Sequence, residues 1–289
     1  MDGSGAAIMF MRAGGKEENV RYIPAGTLER FIKEDLDSLG DKFIIIADVG
    51  LSNGPHLERY ADILEKRGNV ALMDHHITSI GLKSRTWADV RQDICGCEMM
   101  RQYLVDSKFQ YDRLHDRDLT MLIQDHDLWL EKNPRSKDLA SYCVFFGQDV
   151  FVKNFVDRNI QAGPFTANEE LMLAALIKRR DIVIDAVIRK AIIKNVQYNE
   201  TEDTVKVAYV VTSEMNVSLL LDTLLKRHPE AEVACQINFD RGTVSFRSRS
   251  GFDVSQMATY FGGGGHKAAA GHRIPDQIVK DILEQLHGE

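Results

Sequence analysis

Two short apolar runs, each tipped with an acid and separated by one helix-length segment, constrain this chain most. Phe43-Ile44-Ile45-Ile46-Ala47 ends in Asp48, and Val70-Ala71-Leu72-Met73 ends in Asp74-His75-His76. Unbroken aliphatic runs of that length suit strands buried on both faces of a parallel sheet. Between them, residues 55–66 carry Leu57, Tyr60, Ala61 and Leu64 at helical spacing. The unit reads strand, helix, strand, which predicts parallel strands and a right-handed crossover. Both tips then open on one edge of the sheet, where open α/β sheets bind ligands. There an Asp-His-His cluster offers an oxygen ligand, a nitrogen ligand and a titratable imidazole, although lone histidines equally suit satisfied core positions.

Two further segments carry similar chemistry. Met1-Asp2-Gly3-Ser4-Gly5 is a small-residue turn leading into a helix over residues 6–13, with Asp2 as either a helix cap or a ligand. Gln124-Asp125-His126-Asp127-Leu128-Trp129 sets two carboxylates and an imidazole ahead of an apolar pair, and either Asp125 or Asp127 is eligible. Carboxylates with imidazoles suit a hard or borderline divalent cation such as Mn²⁺.

Near the far end, Gly262-Gly263-Gly264-Gly265-His266-Lys267 follows a segment with a capping signal, Asp253 with Gln256, and apolar Val254, Met257, Ala258 and Phe261. A flexible linker is the bland alternative. The capping signal favours instead a loop leading into a helix, with Gly263, Gly264 and Gly265 aiming amides at a phosphate or ribose. His266 and Lys267 supply charge. Arg247, closing a strand that alternates Val244, Phe246 and Ser248, is the candidate clamp for a phosphate or base, with Arg249 beside it.

The expected fold class is α/β. An N-terminal doubly wound, mostly parallel sheet occupies residues 1–153, a helical connector 154–200, and a smaller C-terminal α/β domain 201–289, giving a bilobal molecule. In the connector, Thr166 and Glu169 form a capping pair ahead of a helix reaching Ile188. The last domain reads as strand 205–211, helix 217–226, strands 232–239 and 243–247, and two closing helices. With 36 basic and 43 acidic residues, the net charge of −7 opposes broad binding to long nucleic acid. The local cations Arg241, Arg247, Arg249, His266, Lys267, His272 and Arg273 suit a short substrate. No apolar run approaches the roughly 18 residues needed to span a bilayer, and no leader pattern is present, so a cytoplasmic protein without membrane contact is expected. Cys95, Cys97, Cys143 and Cys235 follow no zinc or disulfide spacing and read as reduced thiols.

Taken together, the Asp74-His75-His76 triplet and the later Gly-Gly-Gly-His motif with Ala268-Ala269-Ala270-Gly271 resemble the DHH phosphoesterase family with its DHH-associated C-terminal domain, of the oligoribonuclease and nano-RNase type. The resemblance implies Asp2, Asp48, His75 and Asp127 as metal ligands for two Mn²⁺ ions, with Mg²⁺ as an alternative. It implies His76 facing the scissile phosphate or leaving group, and Asp74 orienting the histidines. Arg247, Gly263, Gly264, Gly265, His266 and Lys267 would bind substrate, with the cleft between lobes setting its length. The implied activity is a manganese-dependent phosphodiesterase or exonuclease acting on short oligonucleotides or small phosphorylated nucleotides; a homodimer is left open. The alternatives are an impaired nucleotide-binding pseudoenzyme, a single-strand exonuclease and a polyphosphate hydrolase. The family motif carries a histidine and an aspartate upstream of Asp2. Their absence here implies either a start inside a longer reading frame or a shortened protein with one impaired metal site.

Overall fold

The computed structural model describes residues 1–24, 27–51, 57–107, 114–197, 204–214, 216–249 and 251–275. The chain forms two compact units, Met1–Ala175 and Leu176–Glu289. In the first, the elements run α1 (Asp2–Arg12), α2 (Leu28–Glu34), β1 (Ile44–Ala47), α3 (Leu57–Arg67), β2 (Val70–Asp74), β3 (Ala88–Val90), α4 (Gly96–Asp106), α5 (Leu114–Asp127), α6 (Pro134–Phe146) and α7 (Gln148–Phe155). The strands form a parallel sheet in the order β1-β2-β3, with Ala47 opposite Met73 and Asp74 opposite Val90. Both acid tips therefore leave the same edge, as the strand-helix-strand pattern predicts. Ala61 and Leu64 of α3 are fully buried in a cluster with Ile46, Val70 and Leu72. Truncating Leu64 or Leu72 to Ala would cost about 2–5 kcal/mol.

Helix α1 begins at Asp2, not at residue 6 as the turn-like composition suggests. Ser4, Gly5, Ala6, Ala7, Ile8 and Met9 are all buried, and this packing outweighs the low helix propensity of glycine. At the other end, buried Arg12 pairs with Asp116 of α5 and donates to the carbonyls of Phe155, Val156 and Arg158.

Helix α8 (Ala167–Ile188) opens with the expected reciprocal cap. The Thr166 amide donates to Glu169 Oε2 at 2.8 Å and the Glu169 amide to Thr166 Oγ1 at 3.3 Å. Ile184 and Ile188 at its end enter the core of the second unit. The segment read as a helical connector then holds a strand, β4 (Ile192–Gln197), because Ile192, Ile193 and Val196 pair antiparallel with β5 (Thr204–Val211) instead of continuing the helix. Next come α9 (Val217–Arg227), β6 (Val233–Asn238), β7 (Thr243–Ser248), α10 (Val254–Tyr260), β8 (Gly264–His266) and β9 (Ala269–Arg273). The sheet order is β4-β5-β6-β7-β9-β8, with only β5 and β6 parallel. One face packs on α9 and the end of α8 through Ala208, Val210 and Ala234; the other packs on α10 through Val207, Val233 and Phe246.

Among the described residues a strand, not a helix, follows the glycine run, contrary to the sequence expectation. Gly264–His266 is instead one arm of the β8–β9 hairpin. Backbone closeness decides this: a Cβ on Gly265, whose φ is +143°, would lie 2.6 Å from the Ala269 carbonyl oxygen. Asp253 caps α10 by accepting from the Ser255 amide, without a capping-box bond from Gln256. The turn over residues 199–203, the segment 52–55 and the second closing helix lie outside the described residues. No described helix is long and apolar enough to cross a membrane, and all four cysteines are free.

Candidate functional site

Asp48, the first residue beyond β1, has φ of +55°, a left-handed conformation that costs a non-glycine residue about 1–2 kcal/mol. Its amide still donates to the Met73 carbonyl at 3.0 Å. The sheet therefore fixes the residue on one side while its own backbone turns it out of the strand. His75 stands at the equivalent point beyond β2. Its Nε2 lies 3.3 Å from Asp48 Oδ1, 3.4 Å from Asp127 Oδ2 and 3.7 Å from Asp2 Oδ2. Two strand ends, the first residue of α1 and the last of α5 thus meet at one imidazole nitrogen.

Three carboxylates around one buried histidine are electrostatically costly. Burial, then repulsion from Asp48 and Asp127, pushes the Asp2 carboxyl well above the usual carboxylate range. Burial likewise raises Asp127, assisted by Asp48 and opposed by His75. Burial would also raise Asp48, but its hydrogen bond to His75 and the nearby His76 and His75 charges bring it down. Burial opposes the charged form of His75, yet the bond to Asp48 and the charges of Asp127, Asp2 and Asp48 raise it to about 9. The cluster thus sets three carboxylates against a single imidazole.

A divalent cation fits this set. Donor atoms about 2.0–2.2 Å from a shared ion stand about 3–4 Å apart, as the oxygens around His75 Nε2 do. The donors form two overlapping triples, Asp48-His75-His76 and Asp2-His75-Asp127, with ligating atoms within 4.8 Å of one another in each. Oxygen and imidazole donors suit Mn²⁺ or a similar borderline ion.

Asp74 is fully buried and engages His76 Nδ1 at 2.7 Å while accepting from the Ser79 hydroxyl. Burial alone would lower the His76 pKa; Asp74 outweighs it and raises it. The two eligible aspartates of α5 separate cleanly. Asp125 accepts from the amides of Lys132 and Asn133, at 2.8 and 3.2 Å, and from the Ser136 hydroxyl. It anchors the chain entering α6, while Asp127 faces His75.

In the second unit, β-pairing sets Arg247 opposite Ala269 and Ala269 opposite His266. The three share one face of the sheet, with Arg247 and His266 two strands apart, about 9–10 Å between backbones. Lys267 is exposed at the hairpin turn. The Gly263 amide is not aimed outward, because it donates to Ala258 at 2.8 Å and closes α10. The Arg249 guanidinium donates to Leu225 and Pro229 carbonyls, separating its role from that of Arg247.

Residues 202–288 match the DHHA1 domain. The chain is 24% identical over 294 residues to oligoribonuclease NrnB of Bacillus subtilis (strain 168), covering 97% of this chain and 72% of the relative. Both matches support the resemblance to the DHH phosphoesterase family. A second match, 28% identical over 293 residues, is uncharacterized protein R106 of Acanthamoeba polyphaga mimivirus, covering 93% of this chain and 64% of that protein. Among solved structures, the DHH domain of a member of the s1p family of ribosomal proteins aligns with a TM-score of 0.52 at 13% identity, over 97% of this chain and 82% of that one. An exopolyphosphatase-related protein from Bacteroides fragilis aligns with a TM-score of 0.50 at 14% identity, over 99% and 88%. Both share the fold of this chain. The strand-end pattern points to Asp48 and His75, and the family resemblance to Asp2 and Asp127, but neither points to Ser79 beneath Asp74 or to the backbone amides that hold Asp2. Gly96 and Cys97 donate those amides, each at 2.7 Å, and backbone donors leave no mark in side-chain composition.

Proposed function

We propose that this chain is a manganese-dependent phosphodiesterase, with Mg²⁺ as an alternative ion, hydrolysing short oligonucleotides or small phosphorylated nucleotides in the cytoplasm. The observation that carries this reading is His75 Nε2 within 3.3–3.7 Å of carboxylate oxygens from Asp2, Asp48 and Asp127. Those four residues would hold the metal, which when bound supplies charge neutralisation and acidifies a water at neutral pH. In the reaction a water oxygen forms a bond to phosphorus as the bond to the leaving oxygen breaks. His76, its ring fixed by Asp74, holds a proton for that leaving oxygen. Residues 1–153 carry the chemistry. Residues 201–289 bind substrate through Arg247, Gly264, Gly265, His266 and Lys267, with the Gly263 amide engaged instead in closing α10.

Two observations support a short substrate. The net charge of −7 disfavours long polyanions, and the Bacillus relative is named an oligoribonuclease. Turnover of mono-, di- and 20-mer nucleotides and of polyphosphate, with Mn²⁺ and with chelator, tests the reading. Metal-dependent cleavage fastest on dinucleotides is expected. Faster turnover of 20-mers would overturn the length preference, and preferential polyphosphate cleavage would overturn the substrate class.

A further inference from the structure

The carboxylate of Asp2 is not a cap for its own helix. Its Oδ2 accepts the Gly96 amide and its Oδ1 the Cys97 amide, both at 2.7 Å, in a buried setting. These amides open α4, where a helix has no internal acceptors for its first donors. Oδ2 is also the oxygen 3.7 Å from His75 Nε2, so the α4 amide holds the atom that faces the imidazole. An independent observation concerns Gly96 itself. A Cβ there would lie 2.8 Å from Asp48 Cβ, 3.1 Å from the Asp48 amide nitrogen and 3.2 Å from Asp2 Oδ2. Asp48 cannot readily yield, because its amide is tied to β2 through Met73.

We propose that Gly96 is a positioning residue for the carboxylate cluster: its missing side chain lets the first turn of α4 close on Asp2 and Asp48 together. With the Cys97 amide it fixes the Asp2 carboxylate facing His75. The inference rests on the metal-binding reading for its consequence, but its geometry can be tested without any ion.

Two arms separate these questions. In metal-free protein, hydrogen exchange read by NMR should show slowed amides at residues 96 and 97 that speed at least tenfold in Asp2→Ala, with Leu104 in the middle of α4 unchanged. Equal acceleration at Leu104, or none at 96 and 97, would overturn the clamp. In the second arm, Mn²⁺ titration of Gly96→Ala should show at least a tenfold weaker Kd. Leu64→Ala is the control, because its side chain is buried among Ile46, Val70 and Leu72 and contributes no atom to the carboxylate cluster. It should lower Tm while keeping the wild-type Kd. Unchanged affinity in Gly96→Ala, or an equal loss in Leu64→Ala, would refute the positioning role. A wild-type protein that binds no Mn²⁺ but passes the exchange arm would overturn the proposed function and leave the clamp supported.

Discussion

In the first unit, Asp2, Asp48 and Asp127 crowd one buried imidazole, while in the second Arg247 and His266 stand on strands whose geometry is set by glycines. The former holds Asp48 left-handed and keeps repelling charges together, and a bound cation would relieve that repulsion. The latter has close backbone packing, with Gly265 against Ala269. Stability and function should therefore separate differently in the two regions: side-chain removal at the first should cost activity far more than folding, and at the second should change binding.

The largest effect should come from Asp48→Ala and His75→Ala, each lowering metal-dependent kcat at least a thousandfold, which is about 4 kcal/mol in barrier height. Arg247→Ala and His266→Ala should instead raise KM with kcat nearly kept. A kcat loss without a KM change in Arg247→Ala would erase the distinction. Next, Asp127→Asn and Asp125→Asn should move Tm in opposite directions in metal-free protein. The first removes one of the crowded charges and should raise Tm while weakening Mn²⁺ binding. The second disrupts buried bonds to Lys132, Asn133 and Ser136 and should cost about 1–3 kcal/mol. Thermal melts beside Mn²⁺ titrations check both.

In the hairpin, Gly265→Ala should destabilise by about 1–3 kcal/mol because the new Cβ meets fixed backbone, read by urea denaturation. The smallest effect concerns Glu169, remote from either region. Burial would raise its pKa, but hydrogen bonds from Arg158, Thr166 and Tyr142 lower it to about 2. A depressed carboxyl pKa contributes stability above the unfolded value near 4.5, lost as pH falls toward 2. Glu169→Gln should remove on the order of 1 kcal/mol at neutral pH and flatten stability across that window. An undiminished pH slope in the variant would show that other carboxylates govern it.

Periodicity alone made legible the strand-helix-strand unit, both acid tips, the Thr166–Glu169 cap and the alternation of β7, since each reflects burial repeating along one element. It also pointed to Asp48 and His75, because strand ends in a parallel sheet share an edge, whereas Asp2 and Asp127 followed from the family resemblance. Distances between elements were not legible. Asp125 and Asp127 look equivalent in sequence, and only the position of α6 commits Asp125 to its amides and leaves Asp127 facing the imidazole. The glycines at 263–265 allow a loop or a strand equally, and pairing with β9 chose the strand. Likewise Gly96 is unremarkable along the chain, and its significance appears only where α4 meets Asp2 and Asp48. Chain-local pattern determines which faces are buried and which residues end a strand; contact between distant segments, set by steric fit and backbone donors, decides which of those residues share a charge.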